Sequence, residues 1–178
     1  MSGEYSTHTK ALDVGLLTLR AAVGATLFAH GAQKLAGWFN GPGIDDTAAG
    51  MEKMGFHPAK LSAVTAGVSE AAGGLVALGA GTRVASAAGA AAMLAAADVH
   101  RPNGFFSQNG GLEFPAVLGV ASAALALTGP GRYSVDGLFG HRLEQERVGV
   151  LALAGATVGA AGVLYRRRTA VRAMATRD

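Results

Sequence analysis

The chain has no cysteine. That excludes disulfides, thiolate nucleophiles, iron–sulfur clusters and thiolate zinc sites. Any sulfur or redox chemistry has to use a bound cofactor, a substrate or a partner. Charge is scarce as well, at 15% Asp, Glu, Lys and Arg, and aromatics make up 6%. The opening MSGEYSTHTK has no basic run leading to a small-residue cleavage site, so no cleaved signal peptide is expected. GPGIDD and GAGTR are turn glycines rather than phosphate cradles, because no strand precedes them.

What is present is small and apolar. Half of the 178 residues are hydrophobic and 27 are glycine, with a mean hydropathy of +0.31. Small residues are what membrane helices use to approach one another, since burying large apolar groups gains little in lipid. Five apolar segments stand out: 11–36, 61–80, 84–99, 114–128 and 148–165. A span needs about 20 apolar residues. The first, second and fifth segments are long enough; the third and fourth must borrow interfacial residues. A soluble bundle would need polar outer faces, which 75–80, 84–97 and 116–127 lack. The sequence therefore predicts an all-α integral membrane helical bundle, a four-helix core plus a fifth C-terminal transmembrane helix.

The connections carry their own signals. Gly41-Pro42-Gly43 breaks any helix in GWFNGPG. Asp45 or Asp46 is then expected to cap a short interfacial helix running to Met54 and ended by Gly55. Gly79–Thr82 reads as a tight helical hairpin. Arg166, Arg167, Arg168, Arg172 and Arg177 crowd the C-terminus. This cluster reads as an anchor on anionic lipid, not a nucleic-acid patch. Placing the C-terminus inside gives nine Lys and Arg on inner segments against five on outer ones. The bias predicts an N-out, C-in topology, and a bacterial-type plasma membrane is the expected location.

Alternation of five helices has a consequence for chemistry. Helices one and three end on the face where helix four begins. His30, Gln33, Lys34, Trp38 and Phe39 close the first segment. Asp98, His100 and Arg101 close the third, and Phe105, Phe106 and Glu113 lead into the fourth. All three groups are expected on one face. Two charges lie deeper. Arg20 and Glu70 each stand nine residues into antiparallel helices, which predicts a structural Arg20–Glu70 ion pair near the midplane. Gly67, Gly73 and Gly74 would let helix one come close. Asp13, Arg20 and Lys34 fall near one stripe of helix one.

Six blocks in order carry a family resemblance: Leu19-Arg20 with HGAQKLAGWFNGPG, MEKMGFHP, SEAAGGLVALGAGTRVA, GFFSQNGGLEFP and GPGRYSVD. Over residues 11–136 the chain resembles the DoxX family of small integral membrane proteins. The remaining divisions are a polar segment 1–10, a connection 137–147, a fifth helix 148–165 and a basic tail 166–178. The family is similar to a membrane subunit of thiosulfate:quinone oxidoreductase, and members are linked to thiol and oxidative-stress defence. The resemblance implies a membrane component of a redox system that contacts quinone. The partners it implies are a soluble oxidoreductase, a superoxide dismutase or a rhodanese-type sulfurtransferase.

The residues with usable chemistry in the matching blocks are His30, Lys34, Asp98, His100 and Glu113 as catalytic candidates. Trp38, Phe105, Phe106 and Gln33 are cofactor-binding candidates. His30, His100 and Lys34 could donate to quinone carbonyls, Asp98 and Glu113 could relay protons, and the aromatics could flank the ring. Haem on His30 and His100, and a metal on His100, Asp98 and Glu113, are disfavoured beside quinone. His8 and His141 read as surface residues and His57 as part of the turn before Pro58. Two other roles remain open: a scaffold that recruits soluble enzymes through 38–60 and the basic tail, and a solute or proton path along the helix-one stripe. The path would need a homo-oligomer.

Overall fold

The computed structural model describes residues 2–139 and 145–176. His141, Arg142, Arg177 and the side chain of His8 lie outside the described residues. Every regular element there is helical: α1 (Ser2–Ala36), α2 (Gly43–Lys53), α3 (Ala59–Ala71), α4 (Gly73–Leu78), α5 (Thr82–His100), α6 (Glu113–Thr128), α7 (Val135–Leu138) and α8 (Glu146–Ala175). The protein is an all-α membrane helical bundle. Stretches 10–36, 59–78 and 146–174 are long and apolar enough to cross a bilayer, and α6 is a shorter apolar helix. These are the spans expected from length, with α3 and α4 forming one span interrupted at Ala72. There the Leu75 amide reaches back only three residues, to the Ala72 carbonyl at 2.9 Å, tightening one turn beside Gly73.

The packing rests on glycine. A Cβ on Gly24 would run into the backbone of Ala77 and Gly73, and one on Gly31 into the backbone of Ala71 and Gly67. Here α1 and the α3–α4 span touch main chain to main chain, as small residues allow. Gly67 and Gly73 are two of the three glycines the sequence pointed to. Around this seam a core of Val23, Leu27, Val76, Ala85, Met93, Leu118 and Leu125 joins α1, α4, α5 and α6. α8 packs on α5 and α6.

The bundle has two distinct ends. At one, here the α2 end, the Thr47 hydroxyl lies 3.2 Å from the Lys34 carbonyl, and Arg167 of α8 meets Asp98 of α5. At the other, the hairpin end, the Asp13 carboxylate accepts from the Arg132 amide at 3.0 Å and the Asp136 amide donates to the Gly79 carbonyl at 2.9 Å. The ends of α1 and α5 and the start of α6 share the α2 end, as alternation requires.

Three sequence expectations change. α2 starts at Gly43 behind Pro42, with no side-chain cap; Asp45 and Asp46 sit in its first turn instead. There they face the positive end of the helix dipole. Most of the expected basic tail is helical, because α8 continues through Arg166, Arg167, Arg168 and Arg172 to Ala175. Thirty residues at 1.5 Å each give about 45 Å, well beyond a hydrocarbon core of about 30 Å.

The third change is the Arg20–Glu70 pair, which does not form. Arg20, 2% exposed, donates from Nε to the Ala77 carbonyl at 3.1 Å, from Nη1 to the Pro130 carbonyl at 2.5 Å, and from Nη2 to the Tyr133 carbonyl. Glu70 pairs with Lys34 instead. Counting residues from each helix start assumed starts at equal depth. The glycine seam sets the register differently, with Gly24 against Gly73–Ala77 and Gly31 against Gly67–Ala71. That offsets the two charges by about ten residues, roughly 15 Å. Arg83 plays a matching part nearby, donating to the Ala126 and Leu127 carbonyls at 3.1 and 2.5 Å. Both arginines thus hold the hairpin end by satisfying carbonyls that α4, α6 and the following loop leave open.

Replacing Gly31 with Leu is expected to lower stability by at least about 1–3 kcal/mol through overpacking. Thermal unfolding in detergent measures this. Gly15→Leu, where a Cβ would meet nothing within 4 Å, serves as the control and should shift the midpoint little.

Candidate functional site

Three helices leave a cleft of about 800 Å³ at the α2 end. Each wall is one helical stripe. On α5 it runs Ala88, Ala91, Ala92, Ala95, Ala96, Val99, on α3 Leu61, Ser62, Thr65, Ala66, Ser69, Glu70, and on α8 Ala156, Gly159, Ala160, Val163. Spacings of three and four put each set on one helix face. The space exists because the α5 and α8 stripes are mostly alanine and glycine, too small to fill it. Leu61 and Val163 stand on its edges and are 62% and 44% exposed. The slot therefore opens sideways between two apolar helices. Met51, Met54 and Phe56 close it from the α2–α3 link, and His57, His100, Arg166 and Arg167 form a polar rim.

The charge pair on its α3 wall is Lys34–Glu70. Glu70 is 3% exposed, and the Lys34 ammonium reaches its Oε2 from α1. The register explains the contact. Gly31 and Leu35 lie against the α3 turn of Gly67 and Ala71, so a lysine between them reaches Glu70 with its long stem. In lipid a lone charge here would cost about 2.5–3.5 kcal/mol on insertion scales, and the pair removes that cost in part.

A second charge cluster braces α8. Asp98 accepts from Arg167 Nη1 at 3.2 Å and from Arg168 Nη2. Arg167 Nε also donates to the Met54 carbonyl at 2.9 Å, and its guanidinium lies 5.3 Å from the Phe56 ring centroid. One side chain thus ties α8 to α5 and to the link closing the cleft.

The candidate residues separate against this geometry. Lys34 and His100 line the cleft. His100 Nδ1 is 2.8 Å from the Gly110 carbonyl. A carbonyl only accepts, so Nδ1 carries the hydrogen in this contact. The other members of the expected group stand outside it. His30 packs against Phe114, ring centroids 5.4 Å apart. Asp98 belongs to the α8 brace. Glu113 accepts from the Ser107 amide at 3.0 Å and orders its own loop.

Of the cofactor-binding candidates, Gln33 donates to the Phe39 carbonyl at 3.4 Å. Trp38, Phe105 and Phe106 are exposed and touch other aromatics, Trp38 meeting Phe28 and Phe39, and Phe105 meeting Phe106. None of these four lines the cleft. Alternation brought the groups to one end, but side chains on different helix faces do not meet there. Among the described residues no group of three or more His, Asp and Glu side chains is placed to hold a metal ion. The Asp13, Arg20 and Lys34 stripe is likewise divided: Asp13 meets the Arg132 amide, Arg20 the Ala77, Pro130 and Tyr133 carbonyls, and Lys34 meets Glu70.

Sequence reasoning missed the α3 hydroxyls, the α8 wall and Arg167, and it gave Glu70 the wrong partner. The signal was available. The α5 stripe reads as alanine at helical spacing from Ala88 to Ala96, and a helix presenting only alanine to its neighbours leaves space. Asp98→Ala should free Arg167 and Arg168, lower stability by about 1–3 kcal/mol, and speed tryptic cleavage after Arg166–Arg168. Unchanged melting and cleavage would show that the brace does not hold α8.

Comparison with known proteins adds one assignment. No characterised protein and no solved structure shows significant similarity to the chain. The DoxX family model matches residues 15–102. The match holds α1 from residue 15 through α5, and so two of the three cleft walls with Lys34, Glu70 and His100. It stops short of residue 136, and the GFFSQNGGLEFP and GPGRYSVD blocks lie beyond it. On this match the chain belongs to the DoxX family.

Proposed function

We propose that this membrane protein is a component of a redox system and that it contacts quinone in the cleft between α3, α5 and α8. The cleft is the observation that carries the reading. A quinone requires an apolar slot open to lipid near one interface, a hydrogen-bond donor for a ring carbonyl, and groups able to exchange protons on reduction. About 800 Å³ lies within the usual range of small-molecule sites, about 300–1,000 Å³. Lys34 supplies the donor, and Glu70 and His100 supply proton-exchanging groups at its wall and rim.

With no cysteine and no nucleotide-binding fingerprint, the chain takes its electrons from elsewhere. A soluble oxidoreductase or sulfur-transfer partner at the α2 end is the source this reading requires. The charge bias supports an α2 end that faces the cytoplasm, where such a partner would be.

Two experiments test these statements. Protein extracted mildly from its own membrane should release quinone into organic solvent. Ala92→Phe, which fills the cleft from the α5 wall, should abolish that release without loss of folded yield. Wild-type protein that carries no quinone and binds none when supplied would overturn the reading. The absence of cysteine makes orientation easy to probe. A membrane-impermeant maleimide should label Lys10→Cys in intact cells and Thr176→Cys only after lysis. The reverse pattern would place the α2 end outside.

A further inference from the structure

The Lys34–Glu70 pair does more than neutralise two charges, and its surroundings indicate what it recognises. This inference rests on the reading that the cleft takes quinone. An ammonium has three N–H donors. Among the described residues, Lys34 Nζ bonds only to Glu70 Oε2, and both side chains line the cleft. Lys34 is 26% exposed there, while Glu70 is held almost entirely out of solvent. The cleft thus contains spare donors on a cation beside a carboxylate with a second oxygen, Oε1, that has no described partner. A buried ion pair of this kind adds little stability compared with apolar residues of the same size. It is therefore a poor choice for packing alone.

The charges also say what the occupant is not. The pair is neutral overall. An anionic head would be repelled by Glu70 and a cationic head by Lys34, each about as strongly as it is attracted by the other. Beside the pair the α5 wall offers alanine and Val99; its one polar side chain, His100, stands at the rim with Arg166 and with Arg167, which Asp98 engages. What fits is a neutral, lipid-soluble head that presents an acceptor in one form and a donor in another. A ring carbonyl and the hydroxyl produced by its reduction are such a couple.

We infer that Lys34 and Glu70 form the headgroup anchor of the cleft. Lys34 Nζ donates to a carbonyl of bound quinone, and Glu70 accepts from a hydroxyl of bound quinol. One pair of side chains thereby holds both oxidation states. Ser69 and Thr65, on the same α3 stripe, add neutral hydroxyls along the wall.

The test uses the full chain in detergent, titrated calorimetrically with a decyl-tailed benzoquinone and with its chemically reduced quinol. Lys34→Met keeps the stem and removes the donors. The double variant Lys34→Met, Glu70→Met removes the pair without leaving a lone buried charge. Both variants should bind quinone about 10- to 100-fold more weakly, the size expected for a lost charge-assisted hydrogen bond. Glu70→Gln should weaken quinol more than quinone, changing the ratio of the two affinities.

A reading independent of any variant is the infrared carbonyl stretch of ¹³C-labelled quinone bound to wild-type protein. It should be lowered relative to the same quinone in detergent alone. Wild-type affinities in the folded double variant, or an unshifted carbonyl band, would overturn the anchor. If Ala92→Phe still abolished binding in that case, the cleft would remain the quinone site. Failure of wild-type protein to bind either form would remove the cleft reading and the anchor with it.

Discussion

The constraint on which the rest of this structure depends is the main-chain contact between α1 and the α3–α4 span. Gly24 and Gly31 on one side, with Gly67 and Gly73 on the other, bring the two backbones together with almost no side-chain layer between them. A contact of that kind fixes register, because any slide would drive a neighbouring side chain into main chain. Everything polar in this half of the bundle follows. Lys34 arrives beside Glu70, and Arg20 arrives beside the carbonyls of Ala77, Pro130 and Tyr133. The two ends then differ in kind. At the hairpin end arginines satisfy carbonyls, and at the α2 end Lys34 meets Glu70 and Asp98 meets Arg167 and Arg168, with Arg167 also reaching the Met54 carbonyl.

This explains what could and could not be read from the sequence. Segment length and hydropathy give the helices and which of them are long enough to span, because lipid demands a continuous apolar stretch. Alternation gives the shared end of α1, α5 and α6. Neither gives the relative height of two helices. That height depends on which glycines meet, and the chain has 27 of them. Arg20 and Glu70 therefore looked level when they are not. The aromatic and acidic groups failed as a single site for a related reason. His30, Asp98 and Glu113 share an end but face Phe114, α8 and their own loop respectively, and facing is a property of the packed helices. Of the expected group, Lys34 and His100 lie on the side where space remains.

The α8 helix stands apart from this logic. It lies beyond the segment that matches the family, yet it supplies a whole wall of the cleft and closes its rim through Arg167. A helix read from sequence as a fifth span outside a four-helix core thus lines the cleft. Its positive charge near the rim is largely engaged, since Asp98 takes two of its arginines and the Met54 carbonyl receives a further bond from one of them. The excess of cations at this end is thus partly structural and only partly available to lipid.

The alanine stripe of α5 has a thermodynamic meaning beyond the space it leaves. Alanine has no rotamers, so a wall built from it loses no side-chain conformational entropy when covered. Immobilising a flexible side chain on binding costs about 0.5–1.5 kcal/mol, and on this face that cost is absent. It falls instead on Met51 and Met54 in the link and on Lys34 itself. The wall is pre-organised and indifferent to the detailed shape of what lies against it, and discrimination is left to the few side chains that can move.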